Sequence, residues 1–146
     1  MKGPFVIISV AILILATVGF WAYVRLSPSD PAQWHTDPTT VYAWPQDSWG
    51  EVVTLTGAAA LRMPAADGLL ARLDDVAMAT PRTTRLAGNV GDGRITWVTR
   101  SAFWGFPDYT TAQTGPDGLY VHARLRFGKS DLGVNAARLR DWQSKL

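Results

Sequence analysis

Arg124 and Arg126 stand two residues apart, with His122 two residues before them. In an extended strand the three side chains leave the same face. Guanidinium groups set side by side present forks of N–H donors that match carboxylate and phosphate oxygens. With 94–101 in the same sheet, Arg100 joins them and the cluster becomes a candidate anion site. The competing role is structural, with the arginines pairing to Asp108 and Asp131 to hold loops against the sheet.

Other polar residues gather in the same stretches. GKS at 128–130 resembles the end of a phosphate-binding P-loop, but the glycine which that pattern requires five residues before Gly128 is Ala123, so the pattern fails. Lys129 and Ser130, followed by Asp131 and a helix start at Asn135, remain suited either to an anion or to capping a tight loop. Arg82 follows Thr80 and Pro81. Asp108 closes GFPD, a turn around an exposed Phe106 that fixes strand register; as a general base it needs a partner acid or metal within reach. A hydrolase would have to combine Asp108 or Asp131 with His122. His35 and His122 are the only histidines, without metal-ligand spacing, and no GxSxG elbow occurs.

Three segments carry polar groups with glycine or proline beyond what a core needs: TPRTTR at 80–85, TRSAFWGFPDYTT at 99–111 and RLRFGKSDLGVN at 124–135. In the TPR tripeptide, in RS followed by GFPD, and in the arginine strand running into GKSDLGVN, the chain resembles the domain of unknown function 1499 family, over roughly residues 59–146. Relatives of this kind commonly carry an N-terminal anchor. The resemblance implies no reaction, ligand or cofactor.

The elements that would position these residues follow from patterning. Twenty uncharged residues, Phe5 to Val24, make a helix of roughly 30 Å, the thickness of a bilayer's hydrocarbon core. The run is longer than a secretory h-region and ends in Phe20, Trp21 and Tyr23, which suit an aromatic belt; this favours an uncleaved anchor over a signal peptide. Lys2 and the α-amine against Arg25 favour the domain outside. Residues 26–57 read as a proline-rich linker and collar. Trp34 there belongs either at the headgroups or against the domain, Glu51 to Thr56 is a short strand, and membership of 39–57 in the core sheet stays open.

From Ala58 onward the expected order is a strand, a helix over 65–79 with Pro64 in its first turn, strands over 84–87, 94–101, 109–113 and 119–127, and a helix over 136–144 capped by Asn135. This is an α+β domain over 58–146: an antiparallel meander with a helix before it and a C-terminal helix on one face, behind a four-residue tail and a transmembrane helix over 5–25.

Composition narrows the functions. Cysteine is absent, which removes disulfides, thiolate nucleophiles and Cys-ligated metals. The net charge of +2 and the tether argue against nucleic acid, although 11 of the 14 basic residues are arginine. The expectation is a single-pass protein of the bacterial inner membrane with a periplasmic domain, in contact with lipid through residues 5–25. It acts as a non-catalytic accessory or binding module, without cofactor or metal, for a small anionic or polar ligand or a protein partner. The ligand candidates are Arg82, Arg100, Asp108, His122, Arg124, Arg126, Lys129, Ser130, Asp131 and Asn135. The alternatives are a periplasmic hydrolase, or a carrier of an apolar ligand between helix and sheet. A protein-binding surface would be flat and rimmed by Trp44, Trp49 or Trp104.

Overall fold

The computed structural model describes residues 3–146. Its first element is the uncharged run: α1 spans Gly3–Leu26, its most apolar window has a mean hydropathy of 2.6, and none of that window is buried. A short helix α2, Pro31–Trp34, follows. Six strands and two longer helices complete the chain: β1 Val53–Leu55, β2 Ala58–Pro64, α3 Leu69–Ala79, β3 Thr83–Asn89, β4 Arg94–Arg100, β5 Pro107–Thr114, β6 Gly118–Leu125 and α4 Val134–Gln143. All strand pairs are antiparallel, in the order β1-β2-β6-β5-β4-β3. The expected α+β meander is present, with both longer helices on one face.

That face is the core. Period-two alternation aims Leu119, Val121 and Ala123 of β6, Ala112 of β5 and Ile95 and Trp97 of β4 toward α3 and α4. Leu70, Leu73 and Ala77 of α3 and Leu139 and Trp142 of α4 meet them, all buried. The two indoles pack edge to face at 5.7 Å, and each satisfies its N–H: Trp97 donates to Asp74 Oδ1 at 2.9 Å and Trp142 to Thr80 Oγ1 at 2.8 Å. Asp74, buried on α3, also pairs with Arg85 on β3, so its charge is compensated.

Several boundaries differ from the sequence reading. Pro64 ends β2 rather than opening α3, which starts after Gly68 at φ 68°. Strand β6 stops at Leu125, before Phe127. Gly133, at φ 81°, takes the N-cap position of α4, and Asn135 lies inside the helix. The short strand expected over Glu51 to Thr56 is present as β1, and it joins the core sheet by pairing with β2 through Val53↔Ala60; the stretch before it, read as linker, holds α2, where Asp30 accepts the Ala32 N–H at 2.9 Å. A carboxylate N-cap followed by Pro31 suffices to start a turn of helix in a proline-rich stretch.

The largest difference concerns the second face of the sheet. An antiparallel sheet of this kind commonly leaves one face to water, yet here Thr96, Tyr109 and Thr111 on that face are 0% exposed. Residues 27–49 lie across it. Trp34 stacks on Tyr109 with ring centroids 3.9 Å apart, Trp44 and Trp49 meet Tyr120 edge-on, and Arg62 lies over the Trp49 ring. The carbonyls of the cover supply acceptors for polar groups on the strands.

Candidate functional site

The sheet register sorts the candidate residues. His122 lies opposite Thr111, and Arg124 opposite Tyr109, on the covered face; Asp108 lies opposite Leu125, on the helix face. The carboxyl of Asp108 and the imidazole of His122 therefore stand on opposite sides of the sheet, so of the two pairs the hydrolase alternative allows, Asp108 with His122 is not assembled. Asp108 is bonded to Arg138 of α4 at 3.2 Å, with side chains 14% and 10% exposed. Burial pushes its carboxyl above the usual range, against the opposing pull of Arg138. The salt bridge and this upward shift point opposite ways; the short contact marks Asp108 as a structural partner of α4.

Beneath the collar, the arginines bond to the cover itself. Arg124 reaches Thr36 Oγ1 at 3.1 Å, Thr111 Oγ1 at 3.2 Å and the Trp34 carbonyl, while its guanidinium lies 5.5 Å from the Trp34 ring centroid. Arg126 donates to the Pro28 carbonyl at 2.8 Å and to the Tyr109 hydroxyl at 3.2 Å. Neither is ion-paired with Asp108 or Asp131. Burial brings the Arg124 guanidinium down to about 10 and the His122 imidazole down to about 4, with Arg124 adding to the latter. Nearby, His35 Nδ1 shares a 2.8 Å hydrogen bond with Thr96, and Arg94 pairs with Asp37 at 3.4 Å. Trp34, Trp44 and Trp49 thus belong to the cover rather than to a free flat patch.

The loop after β6 is a helix start. Asp131 accepts the amides of Gly133 at 3.1 Å and Asn135 at 2.9 Å, and Ser130 Oγ accepts the Leu132 amide at 3.2 Å. Burial works against the Asp131 charge, but these amides outweigh it and hold the carboxyl below its usual range. Asn135 is fully buried and its Oδ1 accepts from Arg138 at 2.6 Å, while Lys129 stays exposed. Capping is performed by Asp131, four residues earlier than Asn135, because the left-handed Gly133 turns the chain between them.

What the three motif segments share is their end of the sheet. Thr83↔Thr99, Arg100↔Pro107 and Asp108↔Leu125 place the start of β3, the β4–β5 turn and the exit of β6 together. Helix α1 enters at the same end. Arg25 donates to the Phe103 carbonyl at 3.0 Å; Phe20 meets Trp104 and Phe106, each at 6.1 Å; Tyr23 meets Phe127 at 5.9 Å. Gly105 makes the approach possible: its φ is +75°, and a Cβ there would lie 3.0 Å from Cγ of Arg25. Phe106, expected to be exposed, is half-buried in this cluster.

Beside that junction lies an open depression of ≈ 320 Å³ lined by Arg25, Arg82, Thr84, Arg100, Ser101, Ala102 and Gly105. Each guanidinium is steered by a backbone carbonyl: Arg25 by Phe103, Arg82 by Arg100 at 3.0 Å and Arg100 by Gly105 at 2.9 Å. Arg82 sits at φ 59°, an uncommon conformation for a residue with a side chain. No acidic residue lines the depression, and among the described residues none of the three arginines forms a salt bridge. Neutral acceptors orient the forks without cancelling their charge, which leaves most of their donors to an anion. Arg82 and Arg100 were candidates from sequence. Arg25 was read only as a flank of the apolar run, and its position directly after that run was the available signal.

Elsewhere, a second depression of ≈ 390 Å³ at the start of α3 contains one titratable side chain, Asp67. Among the described residues no group of three or more His, Cys, Asp or Glu could hold a metal ion. The family model described as "Protein of unknown function (DUF1499)" matches residues 28–146, and the chain belongs to that family. The match leaves out α1 and takes in the collar, in keeping with a cover built onto the sheet. No curated protein matches the chain.

Proposed function

We propose that this protein is a membrane-anchored, non-catalytic binding module whose ligand carries an anionic group held by Arg25, Arg82 and Arg100. The observation that carries the reading is the set of three guanidiniums around one open depression, each oriented by a neutral carbonyl and none ion-paired among the described residues. Arg124 and Arg126 also meet carbonyls, but beneath the collar, whereas these three guanidiniums stand around an open depression.

Anchoring through α1 is supported by how its last turns join the domain. Val24 is fully buried, Ser27 is bonded back to the Tyr23 carbonyl, and the Arg25 and Phe20 contacts tie helix to loops. A leader destined for removal has no use for such a junction. With it goes a periplasmic domain, since Lys2 and the α-amine against Arg25 favour the start of α1 inside.

The experiment is calorimetric titration of the full chain in neutral detergent with inorganic pyrophosphate. Binding is expected in the wild type and lost in the double variant Arg82→Asn and Arg100→Gln, with its thermal midpoint kept. Asparagine tolerates the left-handed backbone at position 82. No binding by the wild type, or equal binding by the variant, overturns the reading.

A further inference from the structure

The membrane that holds α1 also lies against the loops that build the arginine depression. The uncharged run ends at Val24, and Phe20, four residues earlier, sits about 6 Å deeper along the helix. Trp104 and Phe106 both touch Phe20. If α1 spans the bilayer, these two rings are at the boundary between headgroups and acyl chains, the depth at which apolar faces of interfacial elements rest. Aromatic side chains favour that layer.

Two further side chains point the same way. Outside α1, the most exposed large apolar residues are Phe103, at 74%, and Leu132, at 93%. Both stand in loops at the anchored end of the sheet, Phe103 between β4 and β5 and Leu132 after β6 at φ 53°. The exposed Lys129 and the depression with Arg25, Arg82 and Arg100 are at that end too. Apolar tips beside unpaired cations match a surface whose phosphates lie just outside its acyl chains.

We infer that the base of the domain docks on the bilayer, with Phe103 and Leu132 inserted among the lipids and the arginine depression closed on a lipid phosphate. This rests on the anion-binding reading and names its ligand. Continuity with α1 selects lipid over a protein partner: the loops are tied to the helix, so they meet the membrane surface wherever the helix goes.

The absence of cysteine from the chain provides the test. Single variants Phe103→Cys, Leu132→Cys and, as the reference at the far end of the sheet, Val90→Cys are labelled with a nitroxide. Each is measured in full-length protein in nanodiscs of phosphatidylcholine with and without phosphatidylglycerol. The labels at 103 and 132 are expected to lose accessibility to an aqueous nickel complex and gain it to oxygen, while the label at 90 stays aqueous. Adding phosphatidylglycerol is expected to deepen the first two, and Arg82→Asn with Arg100→Gln to abolish that deepening. Labels at 103 and 132 as aqueous as that at 90 overturn the docking; if pyrophosphate still binds, the anion site survives and its ligand is free or carried by a protein. Buried labels indifferent to the arginine variant overturn the lipid phosphate as the ligand.

Discussion

Two groups of arginines in this protein bond to the same kind of acceptor, the backbone carbonyl, and face opposite fates. Arg124 and Arg126 meet the carbonyls of Trp34 and Pro28 beneath a cover of stacked aromatics. Arg25, Arg82 and Arg100 meet those of Phe103, Arg100 and Gly105 at the rim of an open depression. Under the collar the remaining donors find hydroxyls and a ring face, and the side chain becomes a rivet. At the open end Arg25 and Arg82 stay exposed. The comparison teaches that an arginine's role depends on what closes over it, which spacing along the chain does not encode.

The sharpest break would come from removing one member of each group. Arg124→Ala takes the donor from a buried carbonyl and two hydroxyls and should lower unfolding stability by about 3 kcal/mol, whereas Arg82→Asn should change it by no more than about 0.5 kcal/mol. Chemical denaturation of the detergent-solubilised chain measures both. Equal losses would erase the distinction between rivet and open site.

Acid probes the covered group through His122. Its folded value of about 4 lies below the ordinary 6.5, so the unfolded chain binds the extra proton first. The associated stability is complete above about pH 6.5 and is lost as the pH falls toward 4. Between pH 7 and pH 5 the loss should be about 2 kcal/mol. His122→Gln should flatten that part of the pH profile; an unchanged slope would mean that the collar does not keep the ring dry.

A smaller effect is expected where α1 joins the open group. Gly105→Ala places a Cβ at φ +75° beside Arg25 and should lower stability by about 1 kcal/mol. Its sharper signature is weaker pyrophosphate binding, because Arg25 is displaced from the depression. A stable variant with unaltered binding would show that Arg25 is dispensable there.

Much of the scaffold was legible in the residues. Alternation in Leu119 to Leu125 gave the orientation of β6, and helical spacing from Leu69 to Ala77 gave α3. The place of the collar stayed open because prolines and scattered polar residues look alike in a free linker and in a cover; its partners, Tyr109 and Thr96, lie more than sixty residues away. Asp108 and His122 looked compatible because nothing local says that β5 and β6 pair through Asp108↔Leu125.

The sequence by itself determined the uncharged helix, the α+β order of elements, the lack of any thiol chemistry and the family. Each is written in contiguous residues, as composition, period or motif. Only the tertiary structure decided which arginines are covered, that Arg25 joins Arg82 and Arg100, and that the three motif segments share the end where α1 enters. Those relations depend on strand register and on a collar folded back across the sheet. Both are set by the summed packing of distant side chains, which no window of the chain contains.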